Sequence, residues 1–170
     1  MARKCFYSFH FEKDNWRVSQ VRNIGAVEGN QAAKDNDWEE IKKGGDKKIQ
    51  EWIDAQMNGR TCTVVLAGSD TADRKWINYE IKKSWDDGKG ILVIYIHNLL
   101  DADQKQSSKG KDPLDYVSIK VDKEDKRLSA IAKAYDPVGK TSKEVYADIK
   151  KNIESWIEDA IQIRKDFDKE

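Results

Sequence analysis

The sequence has few of the features that mark membrane or secreted proteins. It contains only 2 cysteines and 2 prolines among its 170 residues. Its longest apolar runs, residues 61–68 and 90–99, are too short to span a bilayer. The opening "MARK" leads into a strand-like segment and not into the apolar core of a signal peptide. These absences predict a cytoplasmic protein that does not bind a membrane.

The cysteines and histidines do not form a pattern that indicates a metal site. Cys5 and Cys62 lie in apolar runs without CxxC spacing, so we expect both to be reduced core residues. The 2 histidines, His10 and His97, add no recognised ligand spacing to them. We therefore predict no metal, and we expect His97 to end its strand with its ring satisfied by a neighbour.

Charge of one sign is also missing. Lys and Arg together number 31, as do Asp and Glu, so the net charge is zero. Nucleic-acid-binding proteins usually carry a strong positive field, so we predict that nucleic acid is not a partner. With 36% charged and 38% hydrophobic residues, the chain has the composition of one globular domain that acts on small molecules or proteins.

Three apolar segments predict a buried parallel sheet. Residues 61–68 ("TCTVVLAG") and 90–99 ("GILVIYIHNL") are rich in β-branched residues and apolar on both faces, and residues 5–11 ("CFYSFHF") form a third strand-like run. Residues 26–29 and 116–121 are weaker candidates for strands.

Helical spacing of apolar residues separates these strands. It predicts helices from Asp14 to about Arg22, over residues 46–59, and between the strands at 61–68 and 90–99. A polar loop over residues 101–115 follows, and a long amphipathic helix from Thr141 to about Asp168 closes the chain. The alternation predicts a doubly wound α/β fold with a single, mostly parallel sheet of flavodoxin-like order.

Glu80, in the helix predicted after residues 61–68, is a candidate catalytic residue. If Ile77 lies at the centre of the buried stripe, Glu80 falls about 60° to one side and Trp76 about 100° to the same side. Partial burial there would raise the pKa of the Glu80 carboxyl group and suit it to act as an acid, a base or a cation stabiliser. The alternative is a border glutamate paired with Lys83 or another helix cation.

The sequence does not support three other kinds of functional site. "GKTS" at residues 139–142 lacks the earlier glycine and the preceding strand of a phosphate-binding loop. The first strand offers Ser8 and His10 where a response regulator needs acidic residues for Mg²⁺. Ser8 also has no general base at fixed spacing, so nucleophilic hydrolysis is unsupported.

Several motifs together resemble a known family. "CFYSFHFEKD" is similar to the opening strand and loop of Toll/interleukin-1 receptor (TIR) domains, and "RKWINYEI" resembles the W-x-x-x-E helix of their NAD-cleaving members. Residues 14–23, 37–43 and 59–99 resemble the TIR-like proteins of bacterial Thoeris antiphage defence. The similarity extends to about residue 121, which implies a TIR-like core over 1–121 and a helical extension over 122–170 packed on the same domain.

The resemblance implies roles for individual residues. Glu80 matches the catalytic glutamate and Trp76 the tryptophan one turn before it. Substrate-binding positions would be Tyr7, Ser8, Phe9 and His10 at the end of the first strand, Ser69 after the next buried strand, and Asp37 and Trp38 in a loop similar to the one that guards TIR pockets.

The resemblance also implies a function: NAD is the substrate, no separate cofactor is needed, and the product is a cyclic or conjugated ADP-ribose messenger. Its implied partners are a separate nucleotide-sensing effector, a phage trigger protein and a second copy of the chain. The alternative is a non-catalytic TIR domain that only associates with other TIR domains or with a phage component.

Overall fold

A central parallel sheet organises the chain. The computed structural model describes residues 3–26 and 41–169. Its strands are β1 (Cys5–Ser8), β2 (Cys62–Ala67), β3 (Gly90–Tyr95), β4 (Ser118–Val121), β5 (Glu124–Arg127) and β6 (Lys133–Tyr135). Its helices are α1 (Phe11–Arg22), α2 (Gly45–Met57), α3 (Lys75–Asp86) and α4 (Ser142–Asp168), with short 3₁₀ turns at Pro113–Tyr116 and Leu128–Ala130. The main sheet has the order β1-β2-β3-β6, and every pair in it is parallel.

Helices cover both faces of this sheet. On one face, α1 and α4 pack against the side chains of Val64, Leu66, Leu92 and Ile94. On the other, α3 packs against Val65 and Val93, and α2 packs beside it against Phe6 of β1. The predicted doubly wound α/β class is confirmed, whereas the strand predicted at 26–29 lies, beyond Ala26, outside the described residues.

The first strand is shorter than predicted and the first helix begins earlier. Strand β1 ends at Ser8, and α1 starts at Phe11 rather than at Asp14. His10 has extended backbone angles and occupies the N-cap position without a side-chain capping hydrogen bond, while Glu12 and Asp14 lie in the first turn. Negative charge in the first turn stabilises the positive end of the helix dipole, so the aromatic run is divided between a strand and a helix.

The chain after residue 100 adds two features that apolar periodicity does not predict. The predicted strand at 116–121 exists as β4, but it pairs antiparallel with β5 in a separate hairpin. Strand β6, which was not predicted, joins the main sheet beside β3. The remaining polar segment is the loop expected over 101–115, apart from the 3₁₀ turn that begins at Pro113.

Helix α4 is the long C-terminal helix that the sequence predicts. The Thr141 hydroxyl accepts a hydrogen bond from the Glu144 amide at 3.2 Å and caps its start. Close packing on β3 requires Gly90, because a Cβ atom there would lie 2.8 Å from the Ile161 backbone nitrogen. Within the described residues, no helix is both long and apolar enough to cross a membrane.

A buried ion pair joins α1 to the loops at the carboxyl edge of the sheet. Asp14 is fully buried, and its Oδ1 lies 3.4 Å from Nη1 of Arg17, which is also buried. Arg17 Nε donates to the Leu99 carbonyl at 2.9 Å, and Nη2 donates to the Lys105 carbonyl at 3.0 Å. The Thr71 hydroxyl donates to the other Asp14 oxygen at 3.4 Å. Three chain segments are thereby held by two buried side chains.

Candidate active site

A cavity of about 480 Å³ opens at the carboxyl end of β1. Helices α1, α2 and α3 and the residues just before each of them supply the rest of its wall. This is the edge at which ligands bind in open α/β sheets. The lining includes the predicted residues Tyr7, Phe9, His10, Trp76 and Glu80.

Glu80 is the buried acid of this cavity. Ile77 and Ile81, its neighbours on α3, anchor the helix in the core, and only 7% of the Glu80 surface is exposed. Burial raises the pKa of the Glu80 carboxyl group to about 8, and the nearby Ser8 hydroxyl offsets this only in part. Its Oε2 atom is buried and makes no hydrogen bond. Glu80 therefore holds a proton at neutral pH and has an oxygen available for a ligand.

The end of β1 brings two more unpartnered polar atoms to this region. Ser8 is buried beside Glu80, but Ser8 Oγ has no hydrogen bond of good geometry, so its effect on the carboxyl group is weak. The Tyr7 hydroxyl is also buried without a partner, and burial raises its pKa. Buried polar groups are normally satisfied, and such exceptions in a cavity indicate a place for a polar ligand.

Aromatic rings and a histidine complete the predicted part of the wall. Trp76 is half-buried and meets the Tyr79 ring edge-on, with 5.6 Å between ring centroids. The Tyr79 hydroxyl donates to Asp54 Oδ1 at 2.6 Å and so joins α3 to α2. Burial and, to a lesser extent, Arg74 lower the pKa of His10, which favours its neutral form. His10 is therefore suited to hydrogen bonding rather than to carrying a fixed charge.

Arg22, which sequence reasoning missed, also lines the cavity. Its guanidinium carbon lies 5.7 Å from the centre of the Tyr7 ring and 5.3 Å from that of Phe9. Its buried Nε makes no hydrogen bond, and burial lowers the pKa of the group. The only signal in the sequence was a basic residue in the last turn of a predicted helix, a common feature that stabilises the helix dipole.

Of the other predicted site residues that the structure describes, neither Ser8 nor Ser69 lines the cavity. Ser69 is partly buried beyond β2, and it does not belong to the lining. Asp37 and Trp38 lie outside the described residues, so their assignment stays a prediction.

Two expectations about residues outside the cavity have different outcomes. Cys5 and Cys62 are free and buried, as expected. The expectation that a neighbour satisfies the His97 ring is wrong for Nδ1, which is buried without a hydrogen bond. The His97 ring makes a T-shaped contact with the Tyr95 ring. Across residues 3–26 and 41–169, no group of three His, Cys, Asp or Glu side chains could hold a metal ion.

The arrangement combines one buried carboxyl group with flat apolar rings. A buried carboxylate interacts with positive charge far more strongly than an exposed one, because little water screens it. The partly buried rings of Trp76 and Phe9 offer surfaces on which planar groups of a ligand can stack. The cavity is thus suited to a ligand that has flat rings and a centre of positive charge.

The part of the chain that forms the cavity is similar in sequence to known proteins. Residues 6–101, which include the predicted site residues, match the family described as "Thoeris protein ThsB, TIR-like domain". A protein of Bacillus cereus (strain MSX-D12), named "Putative cyclic ADP-D-ribose synthase ThsB1", is 35% identical over 133 residues, which cover 75% of this chain and 69% of that protein. The resemblance seen in the sequence motifs is confirmed, and the chain belongs to the TIR-like family of Thoeris ThsB proteins.

Proposed function

We propose that this protein cleaves the bond between nicotinamide and ribose in NAD and converts the rest of the molecule into a cyclic or conjugated ADP-ribose messenger in antiphage defence. The observation that carries the proposal is the buried, unpartnered Glu80 carboxyl group in a cavity with aromatic walls. The name of the Bacillus cereus relative, a cyclic ADP-D-ribose synthase, supports it.

The chemistry requires little more than a placed carboxylate. As the bond breaks, its electron pair moves to the nicotinamide nitrogen, so the positive charge leaves that ring and develops on the ribose. Transition states of this kind are stabilised by carboxylates in glycosidases. Nicotinamide departs as a neutral base and needs no proton, so Glu80 acts in its ionised form by stabilising the ribose cation.

The surroundings of Glu80 favour capture by an acceptor other than water. Trp76, one turn before Glu80 on α3, presents apolar surface in the same cavity and limits the access of water to the cation. An atom of the same molecule, or of another acceptor, then forms the new bond to the ribose carbon and loses a proton. That route yields a cyclic or conjugated product, whereas capture by water yields ADP-ribose.

The proposal includes the wider setting of the reaction. NAD serves as the substrate and no further cofactor takes part. The product activates a separate nucleotide-sensing effector, a phage protein triggers the enzyme, and a second copy of the chain completes the active assembly. The reaction takes place in the cytoplasm.

Mass spectrometry of the nucleotides tests the proposal directly. The protein is incubated with NAD alone and in an extract of phage-infected cells, beside the Glu80→Gln variant. We expect nicotinamide and a new ADP-ribose species that depend on Glu80. Absence of turnover in both settings would contradict the proposal and favour a TIR module that acts only by association.

The pKa of Glu80 sets an expected pH dependence. Because the free protein holds the Glu80 proton below about pH 8, kcat/KM should rise about tenfold per pH unit on the acidic side and level off above that value. Initial rates of nicotinamide release between about pH 6 and 9 measure the profile.

A histidine could produce a similar rise at lower pH, so the control is the His10→Gln variant. It should keep the same midpoint even if its rate is lower. A profile that is flat, or that falls as the pH rises, would show that Glu80 does not act as a carboxylate.

A further inference from the structure

Within residues 3–26 and 41–169, Arg22 differs from the other lysine and arginine side chains of the cavity in having no carboxylate partner. Each of the other three lies in an ion pair, namely Lys42 with Glu12 at 2.6 Å, Arg74 with Asp70 at 2.7 Å, and Lys75 with Asp46. No described carboxylate pairs with Arg22, which is partly buried. The charge of Arg22 is therefore available to an anionic ligand.

The position of Arg22 leaves a hydrogen-bond donor unused. The rings of Tyr7 and Phe9 lie against the guanidinium group, and the buried Nε has no acceptor. The Tyr7 hydroxyl is a second buried polar group without a partner. Leaving such groups unsatisfied costs free energy that a bound anion would recover. A guanidinium group held on aromatic rings is also well suited to phosphate, because its donors keep a fixed geometry.

Arg22 and Glu80 approach the cavity from different sides of β1. Tyr7, under the guanidinium group, packs with the core on the α1 face of the sheet. Phe6 and Trp76, near Glu80, pack in the cluster on the α2 face. The cavity therefore extends around the end of the strand, with an acid on one side and, on the other, a cation that no described carboxylate pairs with. This distribution matches a ligand that carries positive and negative charge at separate places.

We propose that Arg22 binds the diphosphate group of a dinucleotide and, together with the Tyr7 hydroxyl, positions it so that the nicotinamide ribose meets Glu80. The diphosphate lies between the two nucleoside halves of NAD, and the positive ring lies at one end. This inference rests on the proposed function in taking NAD as the ligand. The anion site itself rests on the contacts of Arg22.

A purely structural role is the main alternative. Stacking of Arg22 on Tyr7 and Phe9 could stabilise the end of α1 without any ligand. Such a role predicts that loss of Arg22 weakens all ligands of the cavity to a similar degree. A phosphate-binding role predicts a selective loss for ligands that contain phosphate.

Titration calorimetry with ADP and adenosine separates the two roles without requiring catalysis. The proteins are the full chain, Arg22→Gln, Arg22→Lys, and the control Arg127→Gln, which removes an exposed arginine from β5. Arg22→Gln should weaken ADP binding about tenfold to a hundredfold, the usual effect of losing a charge-assisted hydrogen bond. Adenosine binding should change less than about twofold, and Arg22→Lys should recover part of the ADP affinity.

Each result bears on the proposal. Equal losses for ADP and adenosine, unchanged ADP binding in Arg22→Gln, or a wild-type protein that prefers adenosine would overturn the anion site. Arg22-dependent ADP binding without any NAD cleavage would support the site and contradict the proposed function. NAD cleavage together with ADP binding that does not depend on Arg22 would support the proposed function and contradict the anion site.

Discussion

Glu80→Gln is expected to lower the rate of nicotinamide release by about a hundredfold to a thousandfold or more, and to make the protein more stable in alkaline solution. The loss is of the size seen when one preorganised electrostatic group is removed from an active site. Glutamine keeps the shape of the side chain but cannot carry the negative charge that offsets the ribose cation. Nicotinamide release under saturating NAD measures the effect on kcat.

The gain in stability follows from the buried carboxyl group. Its pKa is about 8 in the folded protein, against an ordinary value of 4.5. Below the ordinary value both states hold the proton, so burial carries no ionisation cost. As the pH rises towards 8, the unfolded chain ionises while the folded one retains its proton, and wild-type stability falls by up to roughly 4 kcal/mol. Glutamine does not ionise and avoids this loss.

Urea unfolding of both proteins at about pH 5 and about pH 9 measures the difference. Glu80→Gln should be close to wild type at the lower pH and more stable by a few kcal/mol at the higher one. Glu124→Gln, in the exposed strand β5, is the matched control and should differ from wild type by less than about 0.5 kcal/mol at both values. If Glu80→Gln retains wild-type turnover, Glu80 takes no part in the mechanism. If Glu80→Gln and wild type are equally stable at both pH values, the raised pKa of the buried Glu80 carboxyl group is contradicted.

Arg17→Met is expected to destabilise the protein by about 3–5 kcal/mol, the typical cost of removing one partner of a buried ion pair. Methionine fills much of the same volume, so the loss reports mainly on charge and hydrogen bonding. It leaves Asp14 in the core without its cation and leaves the Leu99 and Lys105 carbonyls without the guanidinium donor. Urea unfolding near pH 7 gives the free energy.

The control for this prediction is Arg127→Met, an equal change on an exposed strand. It should cost less than about 0.5 kcal/mol. A loss below about 1 kcal/mol for Arg17→Met would contradict a structural role for the buried pair.

The core of the fold was predictable because it depends on apolar periodicity. Strands β2 and β3 are nearly continuous apolar runs, and the buried stripe of α4 recurs at helical spacing over 27 residues. Strands β5 and β6 escaped prediction because their sequences, "EDKR" and "KAY", contain no such run. Their pairing depends on neighbours that are distant in sequence, and short polar segments carry little information about those neighbours.

The candidate site was predictable only in part, for a similar reason. A helical projection placed Glu80 at the border of the buried face, and the end of β1, which contacts that border, makes its burial nearly complete. No projection relates Arg22 to Tyr7 and Phe9, because that contact joins the end of α1 to a different element. The ring of His97 was assigned a partner by the general rule for buried polar groups, and its Nδ1 is an exception.

The proton that Glu80 retains at neutral pH gives the cavity a means of sensing the redox state of its ligand. NAD⁺ brings a positive ring to the carboxyl group and favours its ionisation, whereas the reduced ring of NADH is uncharged and leaves the proton in place. We therefore expect NAD⁺ binding, but not NADH binding, to release a proton, which calorimetry in buffers of different ionisation enthalpy detects. Proton release with both forms would contradict this. Binding of the oxidised nucleotide would then be favoured by rising pH, whereas binding of the reduced nucleotide would not.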